Sequence, residues 1–237
     1  MDWRASVKKC IPTALLNRAL LTFPLLYRTR LVYYETTLRD GHGIDDLLCQ
    51  LDLALGLAGD IIECGSSRCG ASAIMASFLQ AKHAAKTVYA CDSFEGFDRT
   101  ELARERQSGR TRAPERAFTS TSYSYVRQKL RTLGLDGIVE PVKGYFRDTL
   151  PGLDRCFCLA LIDCDLRDSM LYCAQTLWPR IVPSGCMLFD DYASEDFQGA
   201  RLAVDAFVAA RASEILEHGL LRRLYYVRKK PAPLSTE

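Results

Sequence analysis

From residue 59 onward, short unbroken apolar runs alternate with longer segments whose apolar residues recur every three or four positions. The first pattern suits strands buried on both faces and the second suits helices with one buried face. Their alternation therefore predicts a mostly parallel sheet with crossover helices. Asp60-Ile-Ile-Glu-Cys64 reads as the first strand, ended by a turn around Gly65, and a helix follows over 71–81 with Ile74 and Phe78 toward the sheet. Further strands are expected at 87–91, stopping at Asp92, and at 138–142, 157–162, 186–189 and 222–228. Helices are expected at 123–133, at 169–181 with Pro183-Ser-Gly185 as the stop, and at 200–212. Between residues 99 and 121 the periodicity stops, and six arginines stand among Glu101, Glu105 and Glu115. Polar segments of that length inside a domain are lids or disordered, so 99–121 reads as a lid insertion.

Composition narrows the class. The chain has 237 residues, 48% hydrophobic and 25% charged, enough for one core. A net charge of only +2 argues against a nucleic-acid partner. Ten cysteines without a CxxC pair, and only His42, His83 and His218 as histidines, favour reduced buried thiols in a cytoplasmic protein over disulfides or a zinc site. Lys8 and Lys9 before an apolar run imitate a signal peptide, but Asn17 and Arg18 interrupt the run and it falls short of the roughly 20 residues a membrane span needs. Residues 1–54 read instead as a helical arm or lid, basic over 1–34, that packs on the domain or on a second subunit. The catalytic-type domain is expected over 55–237.

Three constellations carry chemistry. Ile61-Ile-Glu-Cys-Gly-Ser-Ser-Arg-Cys-Gly-Ala-Ser72 runs a strand into a glycine turn and a helix, whose free N–H groups can receive a bound nucleotide or amino-acid moiety. An ordinary strand-to-helix turn carries similar letters. Asp92, 27 positions after Gly65 at the next strand end, can accept from both hydroxyls of a ribose, and no Walker lysine follows the turn. Asp163 ends the fourth strand, and Asp190 and Asp191 end the fifth, so one sheet rim gathers three carboxylates whose repulsion a hard cation such as Mg²⁺ removes. Asp165 and Asp168 read as outer-shell residues, and helix capping is the bland alternative for all of these acids.

Glu63-Cys-Gly-Ser-Ser-Arg-Cys-Gly, Asp92-Ser-Phe-Glu-Gly-Phe97, Lys143-Gly-Tyr-Phe-Arg-Asp-Thr-Leu-Pro151, Asp163-Cys-Asp165 and Asp190-Asp-Tyr192 occur in this order. The set resembles the macrocin/mycinamicin O-methyltransferase family over about residues 55–230. The resemblance implies a Rossmann-like α/β class I methyltransferase fold with a seven-stranded, mostly parallel sheet. It implies S-adenosylmethionine as cofactor, Mg²⁺, a hydroxylated small-molecule acceptor, expected to be a glycosylated natural product, and a homo-oligomer with the basic N-terminal arm as the subunit contact. Gly65, Ser66, Gly70 and Ser72 would line the methionine end, Asp92 would hold the ribose, and Tyr145 and Phe146 would sit near the adenine, with Glu63 and Ser93 as further cofactor contacts. Asp163, Asp190 and Asp191 would bind the metal, with Asp163 and Asp191 catalytic; Asp163 is the first candidate base and His42 the alternative. Two departures stand out: Arg68-Cys-Gly70 where the family shows Arg-Gly-Gly, and Asp163-Cys-Asp165 where it shows Asp-Gly-Asp. A catechol-type methyltransferase, a metal-dependent glycosyltransferase using Asp163 and Asp165, and a non-enzymatic binding module are the rival readings.

Overall fold

The computed structural model describes residues 42–233 together with 35, 36 and 38; the expected arm over 1–34 lies outside the described residues. Seven strands form one sheet: β1 (Asp60–Cys64), β2 (Val88–Asp92), β3 (Val139–Lys143), β4 (Phe157–Ile162), β5 (Ile181–Phe189), β6 (Ile215–Leu220) and β7 (Tyr225–Lys229). Their order is β3-β2-β1-β4-β5-β7-β6. The first five run parallel, while β7 pairs antiparallel with both β5 and β6.

Helices cover both faces, as a parallel sheet requires. Along β1 and β4 consecutive residues alternate sides. Ile61, Leu159 and Leu161 pack with α1 (His42–Ala54), α2 (Gly70–Ala81) and α4 (Tyr123–Leu133). Ile62, Ala160 and Ile162 pack with α6 (Arg167–Leu177) and α7 (Gln198–Arg211) on the other face. The start of α4 is readable in its letters: Ser122 accepts from the Tyr125 N–H at 3.2 Å, and Gly134 ends the helix in the left-handed region.

Four features depart from the expectation. Residues 42–54 form α1, whose Ile44, Leu47 and Leu51 enter the core, so the domain's core reaches upstream of residue 55. Within 99–121 lies a helix, α3 (Arg99–Gln107), whose cap Asp98 accepts from the Glu101 N–H at 2.8 Å. Its polar, weakly periodic face hid it, yet Asp98-x-x-Glu101 is a capping-box spacing. β5 starts at Ile181 and carries Pro183-Ser-Gly185 inside it. The pairing with β4 shifts register between Phe157 and Leu159, and Ser184 takes φ 63°, so the stop signal marks an irregularity within the strand. β6 was not expected, because its residues are largely exposed and lack a strand-like apolar alternation. A short helix, α5 (Phe146–Thr149), follows β3.

Candidate active site

The strand registers align Cys91, Cys64, Ile162 and Phe189 in one row across the sheet. The next residues, Asp92, Gly65, Asp163 and Asp190, therefore emerge side by side at the carboxyl rim, where open α/β sheets bind ligands. Backbone bonds carry the ladder past the strand ends: Gly65 N–H to Cys91 O at 2.9 Å, Asp163 N–H to Cys64 O at 2.8 Å, and Asp190 N–H to Ile162 O at 3.1 Å. Gly65 has φ 93°, and a Cβ there would lie 1.9 Å from the Asp163 carbonyl oxygen, so only glycine fits.

Above this row opens a cavity of about 530 Å³. Glu63, Gly65, Ser66, Gly70, Asp92, Ser93, Tyr145, Phe146 and Asp163 all line it, as does Asp165. Ser72 does not: it is buried behind Glu63 and donates its hydroxyl hydrogen bond to that carboxyl, so it positions Glu63. Burial pushes the Glu63 carboxyl up to about 8, against the bond from Ser72. Asp92 accepts from the Ser67 N–H at 2.8 Å and the Phe94 N–H at 2.6 Å, tying the glycine turn to the loop after β2. Its own carboxyl is also raised by burial. The Ser66 hydroxyl is buried on the cavity wall and meets no hydrogen-bond partner beyond the neighbouring Cys69 thiol.

The carboxylates sort differently from the expectation. Oxygens of Asp163, Asp165 and Asp191 lie within 4.8 Å of one another. Asp190 is absent from this cluster, and its fully buried carboxylate forms a bidentate pair with Arg223, at 2.9 Å from Nε and 2.8 Å from Nη2. Asp190 pairs with Arg223, whereas Asp191 shares a hydrogen bond with Asp165. Asp165 reaches the cluster because it takes φ 61°, and Asp191 likewise takes φ 59°. These are left-handed conformations of the kind concentrated at functional sites. Burial raises the Asp165 carboxyl well above the usual range, and Asp191 beside it adds to the effect through a shared hydrogen bond. Asp168 is held by Arg104 at 3.1 Å and Arg167 at 3.0 Å. His42 is exposed at the start of α1, 3.5 Å from Arg222, and is not among the described residues that line the cavity.

Several residues escaped the sequence reading. Glu35 lines the cavity and accepts from Arg68 at 3.2 Å, Tyr125 at 3.0 Å and Lys129 at 2.7 Å, while Lys129 also donates to the Arg68 carbonyl. This buried network joins the segment before α1, the glycine turn and α4, and burial pulls the Lys129 ammonium well down. Glu101 on α3 accepts from the Ser169 N–H at 2.7 Å and the Ser169 hydroxyl at 2.5 Å, which caps α6 beside the carboxylate cluster. Phe97 contacts Phe118 at 5.2 Å and Phe197 at 6.2 Å between ring centroids, and the first two rings line the cavity. No sequence-local signal links Glu35 to Lys129, which lie 94 positions apart.

The sheet order with its reversed last pair, the glycine turn and the acid ending β2 define a class I methyltransferase fold. The macrocin-O-methyltransferase (TylF) family profile matches residues 49–218, and the chain belongs to that family. A Streptomyces olivaceus 8-demethyl-8-(2,3-dimethoxy-alpha-L-rhamnosyl)-tetracenomycin-C 4'-O-methyltransferase is 33% identical over 145 residues, 60% of this chain and 56% of that protein. A Streptomyces niveus demethyldecarbamoylnovobiocin O-methyltransferase is 32% identical over 141 residues, 56% of this chain and 53% of that protein. The match thus spans little more than half the length of these curated relatives. Among solved structures, the O-methyltransferase NovP superposes with a TM-score of 0.67 at 24% identity over 79% of each chain. The calicheamicin methyltransferase CalS11 does so with 0.66 at 18% identity over 91% of each chain.

Proposed function

We propose that this protein is an S-adenosylmethionine-dependent O-methyltransferase acting on a hydroxyl of a glycosylated natural product, with Mg²⁺ held by Asp163, Asp165 and Asp191. The observation that carries the reading is the meeting of two features on one cavity: the glycine-turn and Asp92 wall lies beside the carboxylate cluster, with Asp163 and Asp165 facing the same space. An all-oxygen donor set of three close carboxylates suits a hard divalent cation. The wall that would take the cofactor offers the Ser66 hydroxyl, the Asp92 carboxylate and the start of α2. The relatives' names, one a 4'-O-methyltransferase of a rhamnosyl tetracenomycin and one an O-methyltransferase of a novobiocin precursor, support the acceptor class.

S-adenosylmethionine supplies an electrophilic methyl group, and Mg²⁺ supplies positive charge that lowers the proton affinity of a nearby hydroxyl. The chain's residues do the rest. Glu63 and Asp92 anchor the cofactor side of the cavity through positions fixed by Ser72, Ser67 and Phe94. Phe97 and Phe118 exclude water from the acceptor side. The proton leaving the acceptor hydroxyl goes to a carboxylate oxygen of Asp163, which faces the cavity from the end of β4.

The test is methyl transfer from labelled cofactor to a panel of glycosylated and phenolic acceptors, with Mg²⁺ or with EDTA. Transfer to the sugar hydroxyls, lost in EDTA and restored by Mg²⁺, is the expected result; full turnover in chelated enzyme overturns the metal assignment. Asp165→Asn is expected to lower kcat at least 100-fold while S-adenosylhomocysteine affinity stays within threefold. Asp190→Ala is expected instead to cost about 3 kcal/mol of stability by stranding Arg223, read as a lowered urea midpoint.

A further inference from the structure

Lysine is almost never fully buried unless a partner holds its charge, and Lys129 on α4 is 2% exposed. It lies one helical turn after Tyr125, on the face of α4 that also buries Val126, Leu130 and Leu133. Its ammonium donates to Glu35 at 2.7 Å and to the Arg68 carbonyl oxygen, and it is not among the described residues that line the cavity. Arg68 sits in the turn between β1 and α2, where its two neighbours Ser67 and Cys69 take φ 47° and 53°. Non-glycine residues keep such left-handed conformations where the surrounding structure over-determines them. On one side Asp92 accepts from the Ser67 N–H at 2.8 Å, and the Cys69 N–H donates to the Ser66 carbonyl at 2.6 Å. On the other side stands Lys129, with Glu35 behind it. The Glu35 segment presses on the same turn, since a Cβ on Gly70 would lie 2.8 Å from the Glu35 carbonyl carbon.

We propose that Lys129 is a positioning residue for cofactor binding: from behind the cavity wall it fixes the Arg68 carbonyl, and with it the turn whose Ser66, Ser67 and Arg68 line the cavity. The proposal rests on the reading of that wall as the S-adenosylmethionine side. A charged donor holds the peptide joining Arg68 to Cys69 in one orientation, and its removal leaves a partly buried carbonyl without that donor. The peptide then rotates, Ser67 and Cys69 leave the left-handed region, and the Ser66 hydroxyl and the start of α2 lose their aim into the cavity. Tyr125 provides the contrast, because its hydroxyl donates to the same Glu35 carboxylate at 3.0 Å but makes no hydrogen bond to the turn.

The experiment measures S-adenosylhomocysteine binding by calorimetry, and hydrogen exchange over 66–70 by mass spectrometry, in the full chain as wild type, Lys129→Met and Tyr125→Phe. Lys129→Met keeps an unbranched stem and removes the ammonium. Its affinity is expected to fall at least tenfold, and exchange over 66–70 to rise. Tyr125→Phe is expected to stay within threefold of wild-type affinity with exchange over 66–70 unchanged. In turnover, Lys129→Met is expected to raise the cofactor KM at least tenfold while kcat stays within threefold, a split that general destabilisation would not produce. Lys129→Gln, also uncharged, serves where the methionine variant does not fold, with the same losses expected. Native affinity without the ammonium, or an equal loss in Tyr125→Phe, overturns the proposal. Exchange is read without ligand, so unchanged protection over 66–70 overturns the positioning role itself, whereas a wild type that fails to bind S-adenosylhomocysteine overturns the cofactor reading.

Discussion

A carboxyl group buried beside other carboxyls keeps its proton until a positive charge replaces it. Asp165 and Asp191 are in this position, each raised by burial and linked by a hydrogen bond to the other. Mg²⁺ bound as proposed would compete with the proton these carboxyls share, so its affinity is expected to rise with pH and its binding to release protons in calorimetry across two buffers. An affinity independent of pH would contradict the assignment. Glu63 follows the same logic without a metal. Its folded-state carboxyl holds a proton up to about 8, against an ordinary value of 4.5, so the stability this proton lends is present below about 4.5 and lost as pH rises toward 8. Glu63→Gln cannot ionise, and its gain in Tm over the wild type is expected to be larger at pH 8.5 than at pH 5; equal gains at both would mean the carboxyl ionises normally.

Elements place these groups through their ends. α3 is a charged helix whose existence rests on Asp98 and on buried Glu101, Leu102 and Glu105, and it carries Glu101 to the start of α6. Removing the cap by Asp98→Ala is expected to cost about 1 kcal/mol and to raise hydrogen exchange over 99–107, with unaltered exchange counting against the role given to the cap. At the other edge, Asp46 on α1 accepts from the backbone N–H groups of Arg223 and Leu224 at 2.8 and 3.3 Å, and Arg223 holds Asp190. Asp190, expected to bind a metal together with Asp163 and Asp191, is held by Arg223 and stands outside the carboxylate cluster. Side-chain direction at a strand end depends on local φ and ψ, and the left-handed turns at Asp165 and Asp191 are invisible in residue letters other than glycine.

At the scale of the whole molecule, the site exists because five parallel strands in matched register end on one rim. Gly65 is where that packing is tightest. Gly65→Ala is expected to lower Tm and weaken S-adenosylhomocysteine binding at least tenfold, because its Cβ would collide with the Asp163 carbonyl that anchors the cluster; a variant with native affinity would refute the close approach. The sequence by itself determined the strands β1 to β4, the helices α2 and α4, the glycine turn and the acids at the rim. These follow from local periodicity and turn chemistry, which act over a few residues. Only the tertiary structure decided that Asp165 replaces Asp190 in the carboxylate cluster, that Ser72 stands behind Glu63, and that Glu35 meets Lys129 across 94 positions. Those choices depend on backbone handedness and long-range packing, which are properties of the folded chain and not of any short stretch of it.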